Sequence, residues 1–578
     1  MPRSLRSSVI VTAVVMIAVS LALVVRAGRP PAVVPASAPD TAFSAERAMQ
    51  HVRRVAERPH PTGSIENAAV RDYLVAELAR LGLEVEVQRT TAQGTRYDRS
   101  GPIENVVARL RGTSTSGRAV LLASHYDSRD GAPGAGDAAS AVGALVETMR
   151  ALRSGARLEH DVILLLTDAE ETGLLGAAAF VREHPWARDV EVVLNFEARG
   201  TGGRVFMFET ARGNLDVVRV LRDVPEVSAT SLMVMVYRVL PNDTDLTELM
   251  ALGRPSMNFA FIDGVERYHT ALDDVAHLDQ RSVQHHGVQA LALARAFASG
   301  PLPRPATGDA VFFDAPFVGL VVYPEPLAWI PAVLALLLAV GLVVRVRATT
   351  PVWIRGVTIG AAGAVGATVL GAVAGAGLAV ALAWVHAALG LEGRAAWNDA
   401  YAAAVVAGAG LVAWGTWWLV RRLTPAPAAH AGALTMLAGA AAVVTWLAPG
   451  ASYVLVWPVL FALVAATVAT LTTSTTLRAT TRWVSSLVTL TFLVPLVYLL
   501  GIAMGIQIPG AAAAGLLTAV GVWFLAPHLD TAPTTAGGRV GEQPDRITGT
   551  PAAPPGSPPV AAAGPQGTAR ERESSARG

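Results

Sequence analysis

The chain has 578 residues, of which 52% are hydrophobic and only 16% charged, with 46 basic against 45 acidic side chains. Soluble globular chains are about 25% charged, so much of this one belongs in lipid, and a net charge near zero gives no electrostatic footprint for nucleic acid. The absence of cysteine excludes disulfides, zinc fingers, iron–sulfur clusters and cysteine nucleophiles, so any metal must be held by His, Asp or Glu.

In chain order, residues 1–27 place Arg3 and Arg6 before an uncharged apolar run, Val9–Val25. No small-x-small cleavage site directly follows the run; Arg26 and a Pro-rich stretch do. This reads as an uncleaved anchor rather than a signal peptide, with a cytoplasmic N-terminus. Residues 28–40 form a Pro/Ala-rich linker. Residues 41–300 have the composition of a soluble domain. ERAMQHVRRVAERPH and NAAVRDYLVAELARLG carry helical spacing of apolar residues, and LEVEVQRT and ENVVARLRG read as strands. The strand-like runs AVLLASHYD, DVILLLTDA and VEVVLNFEA then alternate with the helical DAASAVGALVETMRAL and LLGAAAFVREH. Continuous apolar strands separated by helices indicate a parallel sheet covered on both faces.

A linker is expected over 301–326, followed by a polytopic region over 327–526. Its apolar stretches fall at about 327–344, 357–384, 401–420, 431–448, 452–472, 484–504 and 509–526. Each is long enough to cross the hydrocarbon core. Alternate loops carry Arg345, Arg347 and Arg355, then Arg421 and Arg422, then Arg478 and Arg482. The loop after the second stretch carries Glu392, Arg394 and Asp399 instead. The positive-inside rule then puts the soluble domain outside the cytoplasm, on a multi-pass protein of the cell membrane. Residues 527–578, rich in Pro, Ala, Gly and Thr, are expected to be disordered. The fold class is therefore α/β, a mostly parallel mixed sheet sandwiched by helices, joined to an all-α transmembrane domain.

In open parallel sheets, ligands bind beyond the carboxyl ends of the strands. Polar residues collect at those ends. AVLLAS runs into His125 and Asp127, and Asp137 follows on a Gly-rich loop before a helix. DVILLLT runs into Asp168, Glu170 and Glu171, VEVVLNF into Glu197, and SMNFAFIDG leads to Tyr268, His269, Asp273 and Asp274. Singly, each has an ordinary structural explanation; Asp137, for instance, could cap its helix. Together, clustered carboxylates repel unless a cation neutralises them. Imidazole and carboxylate suit zinc. A pair of zinc ions needs a bridging carboxylate, a role that suits Asp137 on its tight loop. Of the adjacent glutamates, one could bind metal and the other act as general base. Asp127 is placed to hold the second ring nitrogen of His125.

These motifs resemble the zinc-dependent exopeptidases that include the two-zinc bacterial leucyl aminopeptidases. The resemblance covers about residues 44–300 and rests on RPHPTGSIENAAVRDYLVAELARLGLEVEV, LLASHYDS, GAPGAGDAASAVGALVE, LLLTDAEETGLLGA, LNFEARG and YHTALDD. One anchor, a soluble domain and a polytopic tail are similar in layout to the Fxna-type endoplasmic reticulum metallopeptidases and their bacterial relatives. The resemblance implies two zinc ions per chain. His125 and Glu197 would hold the first, Glu171 and His269 the second, and Asp137 would bridge them. Asp127 would steady His125, and Glu170 would be the general base of peptide hydrolysis. One departure is visible, since Ala138 follows the bridge where the family often has an acid or amide. Tyr268 is a candidate donor to the tetrahedral oxyanion, although a packed aromatic beside a ligand fits it equally well. Asp243 and Asp245 are weaker candidates for lining the cleft. His60, His160, His184, His277, His285 and His286 have no partners at fitting positions and read as surface or packing residues.

The expected function is a membrane-anchored peptidase acting on peptide substrates at a lipid bilayer, as an exopeptidase and most plainly an aminopeptidase. Two alternatives stand beside it. One is a single-zinc transferase like the glutaminyl cyclases. The other is a receptor or scaffold with a peptidase-like ectodomain.

Overall fold

The structure, a computed structural model, describes residues 3–304, 307–315, 318–391, 398–504 and 507–529. Glu392, Arg394 and all but the first residues of the expected tail lie outside that range.

Seven strands build the central sheet: β1 (Glu84–Gln93), β2 (Ser100–Leu110), β3 (Ala119–His125), β4 (Asp161–Thr167), β5 (Val190–Ala198), β6 (Phe206–Thr210) and β7 (Ser256–Phe261). Their order is β1-β2-β4-β3-β5-β7-β6. The central four, β4, β3, β5 and β7, run parallel. β1 and β2 on one side and β6 on the other add antiparallel pairs. The sheet is therefore mixed around a parallel centre, as the alternation of strand and helix signals implies.

Every residue of β3 and β4 is buried, because helices cover both faces. Side chains alternate across a strand, and the two faces feed different cores. Val120, Leu122, Val162 and Leu164 pack with Val52, Leu145, Val283 and Leu293, from helices Ala45–Val55, Ala141–Arg153 and Gln280–Ala298. Leu121, Ala123, Ile163 and Leu165 pack on the other face with Phe180, Trp186, Leu246 and Leu249. Continuous Val/Leu runs are what a strand needs when neither face meets water. β1, at the sheet edge, is exposed or half-buried at all but one residue, which suits its polar and charged residues.

Among the described residues, seven helices are long and apolar enough to cross a bilayer: Glu325–Thr349, Trp353–Ala388, Asn398–Leu423, Ala426–Leu447, Tyr453–Leu471, Thr475–Gly501 and Ile508–Leu525. Each overlaps one of the apolar stretches read from the sequence. The expected anchor Val9–Val25 lies in helix Arg3–Gly28, whose apolar part, Val14–Gly28, is shorter than the seven. Small residues let the helices approach closely. A Cβ added at Gly360 would collide with the Ala429 carbonyl, and one at Gly375 with the Ala511 carbonyl.

The segment expected as a linker over 301–326 contains a hairpin, β8 (Ala310–Ala315) and β9 (Gly319–Pro324). Alternate residues of β8 face different cores. Phe312 packs into the sheet's core, whereas Val311 and Phe313 pack among the apolar helices. Phe313 stacks on Tyr453 with ring centroids 4.6 Å apart. The Ser231 hydroxyl donates to the Gly450 carbonyl at 2.6 Å, and Arg26 pairs with Asp314 at 3.0 Å. The segment reads as a linker because its strands are short and flanked by Pro and Gly; the partners that make it a hairpin come from distant residues.

Candidate active site

The chemistry-bearing residues gather at the carboxyl ends of the parallel strands. His125 is the last residue of β3, Glu170 and Glu171 follow β4, Glu197 lies near the end of β5, and His269 is on the loop after β7. Asp137 sits in a tight turn, Ala135–Ser140, ahead of helix Ala141–Arg153, and the Asp137–Ala138 peptide is cis. Ala169 and His269 take left-handed backbone conformations, with φ of 62° and 60°. Such residues without glycine's freedom cluster at functional sites.

Two triads result. His125, Asp137 and Glu197 form one, and Asp137, Glu171 and His269 the other. His125 Nε2 lies 3.1 Å from Asp137 Oδ1 and 3.4 Å from Glu197 Oε2. His269 Nε2 lies 3.1 Å from Asp137 Oδ2 and 3.1 Å from Glu171 Oε1. Asp137 thus offers one oxygen to each triad. Asp137 Oδ2, Glu171 Oε1 and His269 Nε2 are buried and make no hydrogen bond despite this proximity. Their lone pairs converge, which is costly unless a cation takes them up. Imidazole and carboxylate donors in that arrangement fit zinc.

The electrostatics agree. Burial, together with Asp137, raises the Glu171 pKa to about 7. Burial also raises Glu170 well above its ordinary value and shifts Glu197 upward. Asp137 is held well below the usual carboxylate range, because the close His125 and His269 rings outweigh its burial. Burial disfavours the His269 cation, but Asp137 and Glu171 outweigh it and lift the pKa to about 9. A divalent ion would relieve the whole cluster by favouring every carboxylate's charged form and the neutral imidazoles.

The surroundings hold these groups. Asp127 meets the His125 ring with both its backbone and its side chain. His125 Nδ1 makes its hydrogen bond to the Asp127 backbone carbonyl at 3.0 Å, with the Asp127 carboxylate 3.5 Å away. That carboxylate also accepts the backbone N–H groups of Glu170 and Glu171, each at 3.1 Å. The reason is geometric: the chain turns after β3, which brings its own carbonyl under the imidazole and points the carboxylate at the neighbouring loop. Asp273 accepts the N–H of Gly136 at 2.6 Å and of Asp137 at 3.2 Å, and so anchors the turn carrying Asp137. Asn195 donates to Glu197 at 3.2 Å. The Asn195 role escaped the sequence reading, although two residues apart on a strand means the same face.

Tyr268 stacks on the His269 ring, 3.7 Å between centroids and 22° between planes, and the Arg199 guanidinium lies 5.7 Å from the Tyr268 ring centroid. The two cleft candidates separate. Asp243 lines the cavity above the triads and accepts from Tyr97 at 2.6 Å. Asp245 is fully buried beneath it and bonds Thr167. Tyr237, which the sequence did not single out, lines the cavity, and its buried hydroxyl has no partner. None of the remaining histidines joins either triad among the described residues.

A mixed α/β sheet with helices on both faces thus carries a His/carboxylate cluster, able to hold metal, at the carboxyl ends of its parallel strands. Residues 105–294 match the model of Peptidase family M28. Endoplasmic reticulum metallopeptidase 1 of Homo sapiens is 29% identical over 311 residues, covering 49% of this chain and 34% of that protein. Vacuolar membrane protease of Candida tropicalis is 28% identical over 247 residues, covering 40% of this chain and 26% of that protein. The chain therefore spans about a third or less of the length of these relatives. Among solved structures, Porphyromonas gingivalis glutaminyl cyclase aligns at a TM-score of 0.38 and 20% identity, over 44% of this chain and 99% of that one.

Proposed function

We propose that this chain is a membrane-anchored two-zinc exopeptidase that acts as an aminopeptidase. The observation that carries the reading is Asp137, whose two oxygens face two separate His/carboxylate triads, 3.1 Å from His125 and 3.1 Å from His269. His125 and Glu197 would complete one zinc site, and Glu171 and His269 the other. Zinc, when bound, polarises a carbonyl and makes water more acidic.

The rest belongs to the chain's own groups. Glu170 lines the same cavity beside the triads and joins neither, so its carboxylate is free for proton transfer. It takes the proton of the attacking water and delivers it to the leaving amine. Asp127, through the Glu170 and Glu171 backbone, positions the base and its neighbour. Tyr237 offers its unpartnered hydroxyl to the cavity, whereas the stacked ring of Tyr268 orients His269. The peptidase domain would lie on the extracytoplasmic side of the cell membrane, because the Arg-bearing loops alternate on the opposite side. Two triads sharing one carboxylate favour a pair of cations over the single zinc of a cyclase. A base in place beside them disfavours an inert ectodomain.

The test uses the full-length protein. Metal content per chain is measured by plasma mass spectrometry, and a peptide library is digested by wild type and by Glu170→Gln. Two zinc ions per chain, single residues released from amino termini, and a metal-loaded but inactive variant would support the reading. One zinc per chain with cyclisation of amino-terminal glutamine would overturn it.

A further inference from the structure

The cavity over the triads does not end within the peptidase domain. Its volume is about 920 Å³, and its polar end holds Asp137, Glu170, Glu171, Glu197 and His269. From there its wall runs along Leu232, Met233 and Val236 of helix Ser231–Tyr237. It continues onto three of the long apolar helices, through Val454, Leu496, Leu500, Ala513 and Leu517. Leu23 of the N-terminal helix closes a further side. Thr491 is also on the wall and, at 1.5 Å rise per residue, lies about 20 Å along its helix from Met504. The cavity thus begins at the His/carboxylate cluster and runs down among helices of bilayer grade.

A short polar peptide would fill only the polar end and make no contact with the apolar wall, whereas apolar surface is buried most favourably against an apolar group. The volume lies near the upper end of ordinary ligand pockets, so it has room beyond a terminal residue. We propose that the substrates are peptides bearing a long apolar tail, either an acyl chain or a run of apolar residues. The peptide end reaches Glu170 and the triads while the tail lies against Leu496, Leu500, Ala513 and Leu517. This rests on the exopeptidase reading above and names the substrate class for that site. The membrane helices then form half of the binding site as well as an anchor.

The experiment uses zinc-loaded full-length protein in lipid nanodiscs and three peptides with the same two ends. These are Leu-Ala-Ala-Lys-Ala-Ala-Leu, the same peptide with palmitate on the lysine amine, and one with a leucine-rich segment replacing the lysine. Leucine release is followed by mass spectrometry. The tailed peptides should have kcat/KM at least ~10-fold higher, since burial of about two methylenes is worth that much. Partition into the nanodisc acts equally on all protein variants. The decisive comparison is therefore Ala513→Trp and Leu500→Trp, each checked for an intact thermal transition, in which the advantage should fall to near parity. A palmitoyl chain ending in a diazirine, used with Glu170→Gln, should label cavity-facing residues of helices Thr475–Met504 and Ile508–Leu529. Equal rates for all three peptides, an advantage undiminished in both folded Trp variants, or labelling confined to lipid-facing residues would each overturn the proposal. If none of the peptides loses leucine, the exopeptidase reading itself fails, and the proposal falls with it.

Discussion

The Asp127 carboxylate accepts the backbone N–H of Glu170 at 3.1 Å, across two loops that leave neighbouring strands. Its other oxygen accepts Glu171 N–H at the same distance. One buried side chain thus sets the position of both the proposed base and a proposed zinc ligand. Asp127→Ala removes both acceptors and should lower kcat about 10–100-fold, the usual cost of losing a partner that orients a metal site. Asp127→Asn keeps one oxygen and should lose less. Steady-state kinetics on both, with metal content measured alongside, checks the order; equal activity in all three proteins would refute it.

Glu170→Gln should reduce turnover by about 10²–10⁴-fold, the range for general acid–base catalysis. The variant should bind as much zinc as wild type, because Glu170 belongs to neither triad. Turnover at the wild-type rate would remove the base from the mechanism.

Chelation should lower the thermal midpoint, and added zinc should restore it. Without a cation the two triads hold buried acids that oppose one another's ionisation. A metal present at about 100 times its dissociation constant stabilises the fold by about 3 kcal/mol. His269→Ala should halve the zinc content, whereas Asp137→Ala should abolish it. Differential scanning calorimetry and plasma mass spectrometry read the two effects, and a midpoint indifferent to chelator would count against a metal site.

His285 should make the fold acid-sensitive. It is fully buried, its Nδ1 accepts the Val205 N–H at 2.9 Å, and its Nε2 bonds the Glu226 carbonyl at 2.7 Å. Only the neutral ring with its proton on Nε2 satisfies both. Burial, reinforced by Arg204, pushes its pKa down to about 3. The unfolded value is near 6.5, so between these limits the unfolded chain binds the extra proton. The neutral-ring stability is complete above about pH 6.5 and is lost as pH falls toward about 3, by on the order of 2 kcal/mol between pH 6 and 4. His285→Gln removes the titrating group, so its midpoint should fall less steeply with acid. Parallel midpoint curves for the two proteins would refute the assignment.

Local periodicity and composition already carried much of this molecule. Strands buried on both faces read as unbroken Val and Leu runs because nothing along them meets water. The seven long helices read as apolar stretches because a bilayer tolerates little else. His125, Glu170, Glu171 and Glu197 stood out as candidates because the carboxyl ends of parallel strands are places where ligands bind. Other features depended on partners far away in the chain. Asp273 anchors a turn 136 residues before it, which no spacing rule anticipates. Asp245, which begins the short helix Asp245–Leu249 after a proline-bearing loop, is buried with a partner because Thr167 bonds it from the end of β4. The hairpin over 310–324 takes its place because alternate residues of one short strand enter two different cores. The cavity that joins the triads to the apolar helices is the clearest case. Its walls come from segments hundreds of residues apart, and only folding gives them a common face.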